Sequence, residues 1–141
     1  MRVKDGMNPD VLTIGPSHTL REASRLMAKR HVGAAVVVDA ETSGLGILTE
    51  RDVLESVGAD QNPDTELVSD HLTKDLVFAA PEWEMGEAAA AMIRGGFRHL
   101  VVLSGNDVVG ILAMRDIVRS WSAADRLPPT DGLIDDVSIS R

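Results

Sequence analysis

The sequence contains no cysteine, which excludes disulfides, thiolate nucleophiles and cysteine-ligated zinc. Aromatics are scarce: two Trp, two Phe and no Tyr, together 3% of 141 residues. A core must therefore come from Val, Leu, Ile, Ala and Met, since hydrophobic residues still make up 44% of the chain. Basic side chains are also few, with 14 Lys and Arg against 22 Asp and Glu, for a net charge of −8. That balance argues against a general nucleic-acid binder, which must neutralise many phosphates, and against docking on an anionic membrane. No apolar run approaches the ~18 residues that span a bilayer, and the opening MRVKDGMNPDVLTIG lacks the apolar stretch of a signal peptide. A soluble, cytoplasmic protein is expected, long enough to bury a core of its own.

Catalytic signatures are missing as well. The chain has no Gly-x-x-x-x-Gly-Lys phosphate loop and no recognisable Ser, His and acid arrangement. His18, His31, His71 and His99 are scattered, none of them four residues from another as a helical metal site requires. His71, in a short turn, is expected on the surface. The sequence therefore predicts no enzyme, no metal and no required cofactor.

What the chain does contain is a second copy of itself. Pro16/Pro81, Glu22/Glu87, Ala23/Ala88, Met27/Met92, Val36/Val101 and Val37/Val102 recur 65 residues apart. After a one-residue deletion in a turn, Gly46/Gly110, Ile47/Ile111, Leu48/Leu112, Arg51/Arg115 and Asp52/Asp116 recur 64 apart. Two copies point to one pseudo-twofold unit, because an open solenoid usually needs three or more.

Each copy reads β-α-β-β-α after a short helical turn (residues 3–7 in the first). A short extended run over 11–14 stops at Gly15-Pro16. Thr19 and Glu22 form a capping box, and Leu20, Ala23 and Met27 recur at helical spacing over 20–29. Apolar runs at 34–38 and 45–48 flank a turn as a hairpin, and a second helix follows to about residue 57. The second copy repeats these elements at 76–79, 85–94, 100–103, 108–112 and 115–121. The expected division is a first repeat over 1–57, a polar linker over 58–67, a second repeat over 68–121, and a tail over 122–141. That tail is expected to be flexible or ordered only on a partner.

In this layout Gly46-Ile-Leu-Thr-Glu-Arg-Asp52 and its copy Gly110-Ile-Leu-Ala-Met-Arg-Asp116 resemble the cystathionine-β-synthase (CBS) domain pair. The resemblance covers residues 3–121. It implies an α/β (α+β) fold in which two pseudo-twofold repeats pack sheet to sheet and leave two clefts. It further implies that AMP, ADP, ATP or S-adenosylmethionine binds there, that the chain forms a symmetric homodimer, and that a regulated partner protein receives the signal. The opening Met and the separate tail are expected of a free-standing chain rather than of a segment cut from a larger enzyme.

The positions matching the family motif are Thr49 and Asp52 in the first copy and Asp116 in the second, where Ala113 replaces the threonine. A carboxylate can accept hydrogen bonds from both ribose hydroxyls, and a threonine beside free amides at a helix start suits phosphate. Ile47 and Ile14 are expected to flank the base. Arg98, a basic residue just before a strand, is expected to face phosphate and to make up for Ala113, with His99 beside it. The first copy has Gly33 at the place of Arg98, so neither site is expected to carry the full set. Arg51 and Arg115 either face phosphate or pair with acids at a helix start.

Thr49 and Asp52 also form an ordinary capping arrangement, and the capping and binding roles can coexist. The leading reading is a non-enzymatic sensor whose ligand shifts the population of repeat arrangements. The alternative, motivated by Ala113 and Gly33, is an interaction or structural module whose clefts are filled by Met114, Arg98 or His99.

Overall fold

The computed structural model describes residues 1–42 and 44–123. The first repeat runs through helix α1 (Val3–Gly6), strand β1 (Thr13–Ile14), helix α2 (Leu20–Arg30), the hairpin β2 (Ala34–Asp39) and β3 (Gly44–Thr49), and helix α3 (Glu50–Gly58). The second opens with a 3-10 turn at Val68–Asp70. It continues through β4 (Phe78–Ala79), α4 (Met85–Gly95), β5 (His99–Ser104), β6 (Asp107–Ala113) and α5 (Met114–Ala123). The last helix reaches two residues past the boundary expected for the tail; residues 124–141 lie outside the described part.

Local chemistry sets the element ends. Thr19 accepts a hydrogen bond from the Glu22 amide while Glu22 reaches back to the Thr19 amide, and α2 begins there. In the second repeat Glu84 stands at the same place and pairs with Glu87. Helix α2 stops at His31, which takes the left-handed conformation (φ 55°), and α4 stops at Gly96 (φ 70°).

Each repeat forms a three-stranded sheet, β1-β2-β3 or β4-β5-β6, with the first pair parallel and the second antiparallel. Alternation along the strands then sorts the side chains into two layers. Ala35, Val37 and Leu48 point outward and meet Leu20, Ala23 and Met27 of α2. Leu100, Val102 and Leu112 do the same against Met85, Ala88 and Met92 of α4. The intervening residues Ala34, Val36, Ile47, Val101 and Ile111 face inward and form one cluster shared by both sheets. The repeats therefore pack sheet to sheet.

The units also exchange their leading segments. Val3 opens the first repeat but is buried in the second repeat's core, its amide donating to the Trp83 carbonyl at 2.8 Å. Val68 reciprocates in the first repeat's core, donating to the His18 carbonyl at 2.8 Å. Further along, Asn8 pairs with Ile111 at the edge of β6, and Thr73 pairs with Ile47 at the edge of β3. Gly46 and Gly110 allow this approach, because a Cβ there would stand 3.2 Å from the Thr73 carbonyl oxygen or 3.1 Å from that of Asn8.

The segment between the repeats is more than a spacer. The carbonyls of Pro63 and Glu66 accept from the Arg21 and Leu20 amides at the start of α2, and Asp64 pairs with the Arg21 guanidinium. His71 is no surface residue: its side chain is 15% exposed and its Nε2 lies 2.8 Å from Glu66 Oε1. Among the described residues no helix is long and apolar enough to cross a membrane.

Candidate functional site

The exchange of segments builds two clefts, each walled by both repeats. In the first, β3 and the start of α3 supply Ile47, Thr49, Arg51 and Asp52. The second repeat faces them with Thr73, Asp75, Leu76 and Val77, before β4, and with Gly96 to His99, between α4 and β5. The cavity is about 170 Å³. The pseudo-symmetric cleft carries Ile111, Ala113, Arg115 and Asp116 opposite Asn8, Asp10 to Leu12 and Val32 to Ala34, and measures only about 40 Å³.

Thr49 caps α3, and its amide and hydroxyl both donate to Asp52 Oδ2, at 2.8 and 3.1 Å. Among the described residues every hydrogen bond to the Asp52 carboxylate falls on Oδ2, which leaves Oδ1 for a ligand. The side chain is half-buried in the cleft wall. Asp116 is held differently. Its Oδ2 accepts from the Ala113 amide at 2.8 Å, while Oδ1 lies 3.4 Å from the Arg119 guanidinium. Glu55 occupies the position of Arg119 in the first repeat, so Asp52 has no such competitor.

Arg98 lines the first cleft, together with Thr49 and Asp52. It does not make up for Ala113; that cleft contains Gly33 instead. The first cleft thus gathers hydroxyl, carboxylate and the Arg98 guanidinium, whereas the second lacks the hydroxyl and has Gly33 at the place of Arg98. Ile14 is a second correction. It is 3% exposed and lines neither cleft, because its side chain packs into the core beneath α2. The apolar wall beside Ile47 comes from Leu76 and Val77 of the other repeat.

The two helix-start arginines have different neighbours. Arg115 donates to the His31 carbonyl at 3.2 Å, across the second cleft, and so binds repeat to repeat rather than to an acid. Arg51 lines the first cleft and has no hydrogen bond or ion pair among the described residues. Asp75 and Phe97, which also line it, carry no sequence motif; Phe97 is flagged only by the two glycines before it.

His99 borders both clefts. Burial pulls its imidazole below the ordinary histidine value of 6.5. Glu50 and Asp116 oppose the fall and Arg115 and Arg98 reinforce it. His99 is therefore neutral near pH 7 and offers one N–H rather than a positive charge. The unfolded chain takes up this proton more readily than the folded one, so stability must decline as pH drops through about 6.5. His99→Asn is expected to lose less melting temperature than wild type between pH 7.5 and 5.5. An equal loss in both proteins would assign the acid sensitivity elsewhere.

The CBS domain family model matches residues 3–59 and 68–123. The chain belongs to the CBS domain family. CBS domain-containing protein YhcV of Bacillus subtilis is 33% identical over 115 residues, covering 82% of this chain and 81% of that protein. Uncharacterized protein MJ1225 of Methanocaldococcus jannaschii is 31% identical over 117 residues, which cover 83% of this chain but 41% of its own length. Two other archaeal relatives are likewise longer, matched over 66% and 57% of their lengths. Among solved structures, CBS-domain containing protein ATU1752 of Agrobacterium tumefaciens superposes with a TM-score of 0.77 at 31% identity, over 84% of this chain and 92% of that one. CBS domain protein PAE2072 of Pyrobaculum aerophilum, complexed with AMP, shares the fold (TM-score 0.75, 23% identity, 87% of this chain and 99% of that one).

Proposed function

We propose that this CBS pair is a regulatory module, not a catalyst, that binds one adenine nucleotide or adenosyl ligand per chain in the first cleft. The observation that supports this reading is the convergence of Thr49, Asp52 and Arg98 from two repeats on one 170 Å³ cavity. Asp52 Oδ1 accepts from the ribose hydroxyls, and the base lies along Ile47, Leu76 and Val77. The phosphate meets Arg98 and the first turn of α3, where amides and the helix dipole favour an anion. The second cleft, with Asp116 engaged by Arg119 and Arg115 tied to His31, serves as a structural joint.

The AMP complex of PAE2072 makes AMP the first ligand to try. Exposed apolar residues on α3 (Leu54 and Val57) and α5 (Met114 and Val118) supply a surface for self-association, and we assign the homodimer to it.

Thermal unfolding against AMP, ADP, ATP and S-adenosylmethionine tests the reading. A ligand at a hundredfold excess over its dissociation constant adds about 2.7 kcal/mol of stability, a rise of several degrees. No shift at millimolar concentrations would leave a CBS pair that acts through protein contacts alone.

A further inference from the structure

A third cavity, of about 260 Å³, opens at the turn end of the β2–β3 hairpin and is larger than either cleft. Val37, Leu45 and Leu72 give it an apolar side. Asp39 and Lys74 give it one charge of each sign. The Asp39 carboxylate accepts from the Glu41 amide at 3.0 Å. That bond, with Thr42 and the nearby Lys74 charge, holds it below the usual carboxylate range, so it is ionised near pH 7. Lys74 is exposed, and among the described residues its ammonium has no hydrogen bond or ion pair.

The fold does not demand this pair of charges. At the pseudo-symmetric place in the second repeat, Ser104 stands for Asp39 and Pro9 for Lys74. The hairpin there is also tighter: Gly105-Asn106 separates the paired Ser104 and Asp107, whereas residues 40–43 separate Asp39 from Gly44. The cavity also shares a wall with the first cleft. Leu72 and Lys74 line the cavity, while Thr73 and Asp75 line the cleft.

We propose that this cavity binds a free aliphatic α-amino acid, with its ammonium on Asp39, its carboxylate on Lys74 and its side chain against Val37, Leu45 and Leu72. Opposite charges beside an apolar surface match a zwitterion that carries a hydrocarbon group. A simple anion would be repelled by Asp39, and a simple cation by Lys74. The site goes beyond the nucleotide reading and does not depend on it.

Isothermal titration with L-leucine tests the assignment. Asp39→Asn and Lys74→Met are each expected to weaken leucine by about 10-fold, the low end for a charged hydrogen bond because the site is open to solvent. Neither position belongs to the buried core, so both variants are expected to fold. Isocaproate, which lacks the ammonium, and isopentylamine, which lacks the carboxylate, are expected to bind at least about 10-fold more weakly than leucine. Isocaproate binding as tightly as leucine would overturn the proposal, as would no binding of L-leucine, L-isoleucine or L-valine at millimolar concentrations. Displacement of leucine by AMP would place it in the first cleft and also sink the idea. Leucine binding in a chain that ignores AMP would uphold this site and remove the nucleotide reading alone.

Discussion

Asp52→Asn is expected to weaken AMP binding by about 10- to 150-fold, the equivalent of the ~1.5–3 kcal/mol of a hydrogen bond to a charged group. Asparagine retains an oxygen that can accept from the Thr49 amide, now made by Asp52 Oδ2 at 2.8 Å. The cap on α3 then survives, and the melting temperature is expected to stay within a few degrees of wild type. Asp116→Asn is expected to leave AMP affinity within about twofold, because its carboxylate is already engaged by the Ala113 amide and Arg119. Calorimetric titration of the two variants side by side checks both. A larger loss in Asp116→Asn would move the site to the second cleft and reverse the assignment.

The second large effect concerns the connection between repeats. Cut between residues 61 and 66 and separated, the two halves are each expected to be unfolded by circular dichroism, and to regain structure when mixed. Each half would lose the valine that closes its core, Val68 or Val3, both fully buried. Burial of one such side chain contributes about 1.5–3 kcal/mol. The shared inward cluster of Ala34, Val36, Ile47, Val101 and Ile111 would also be exposed on both sides. Against a total stability of about 5–15 kcal/mol for an ordinary domain, these losses are decisive. A half that melts cooperatively by itself would show that the exchanged segments are ornamental to folding.

Much of the fold was legible because its determinants are local. The Thr19–Glu22 and Thr49–Asp52 boxes mark helix starts within three residues of chain, and the short β-branched apolar run at 34–38 marks a strand without any tertiary knowledge. The repeat added the pseudo-twofold, since two copies with the same inward stripe must meet. Cleft membership was not legible, because it depends on which copy each leading segment joins. Arg98 precedes a strand of the second repeat and looks like that repeat's own residue. It lines the same cleft as Asp52 only because the segment before β4 runs along β3 of the first repeat, a pairing that no short-range period encodes. Ile14 failed for a related reason. Its two-residue strand is too short for alternation to reveal which face it presents.

The inequality of the clefts also constrains the shape of any response. A chain with one competent cleft follows a hyperbolic saturation curve when alone, however its repeats move on binding. Steepness above a Hill coefficient of one requires at least two coupled sites, and if only the first cleft binds, as proposed, the second must belong to another chain. If this protein responds to its ligand as a threshold rather than a gradual dial, the threshold is a property of the assembly, and dilution to monomers abolishes it.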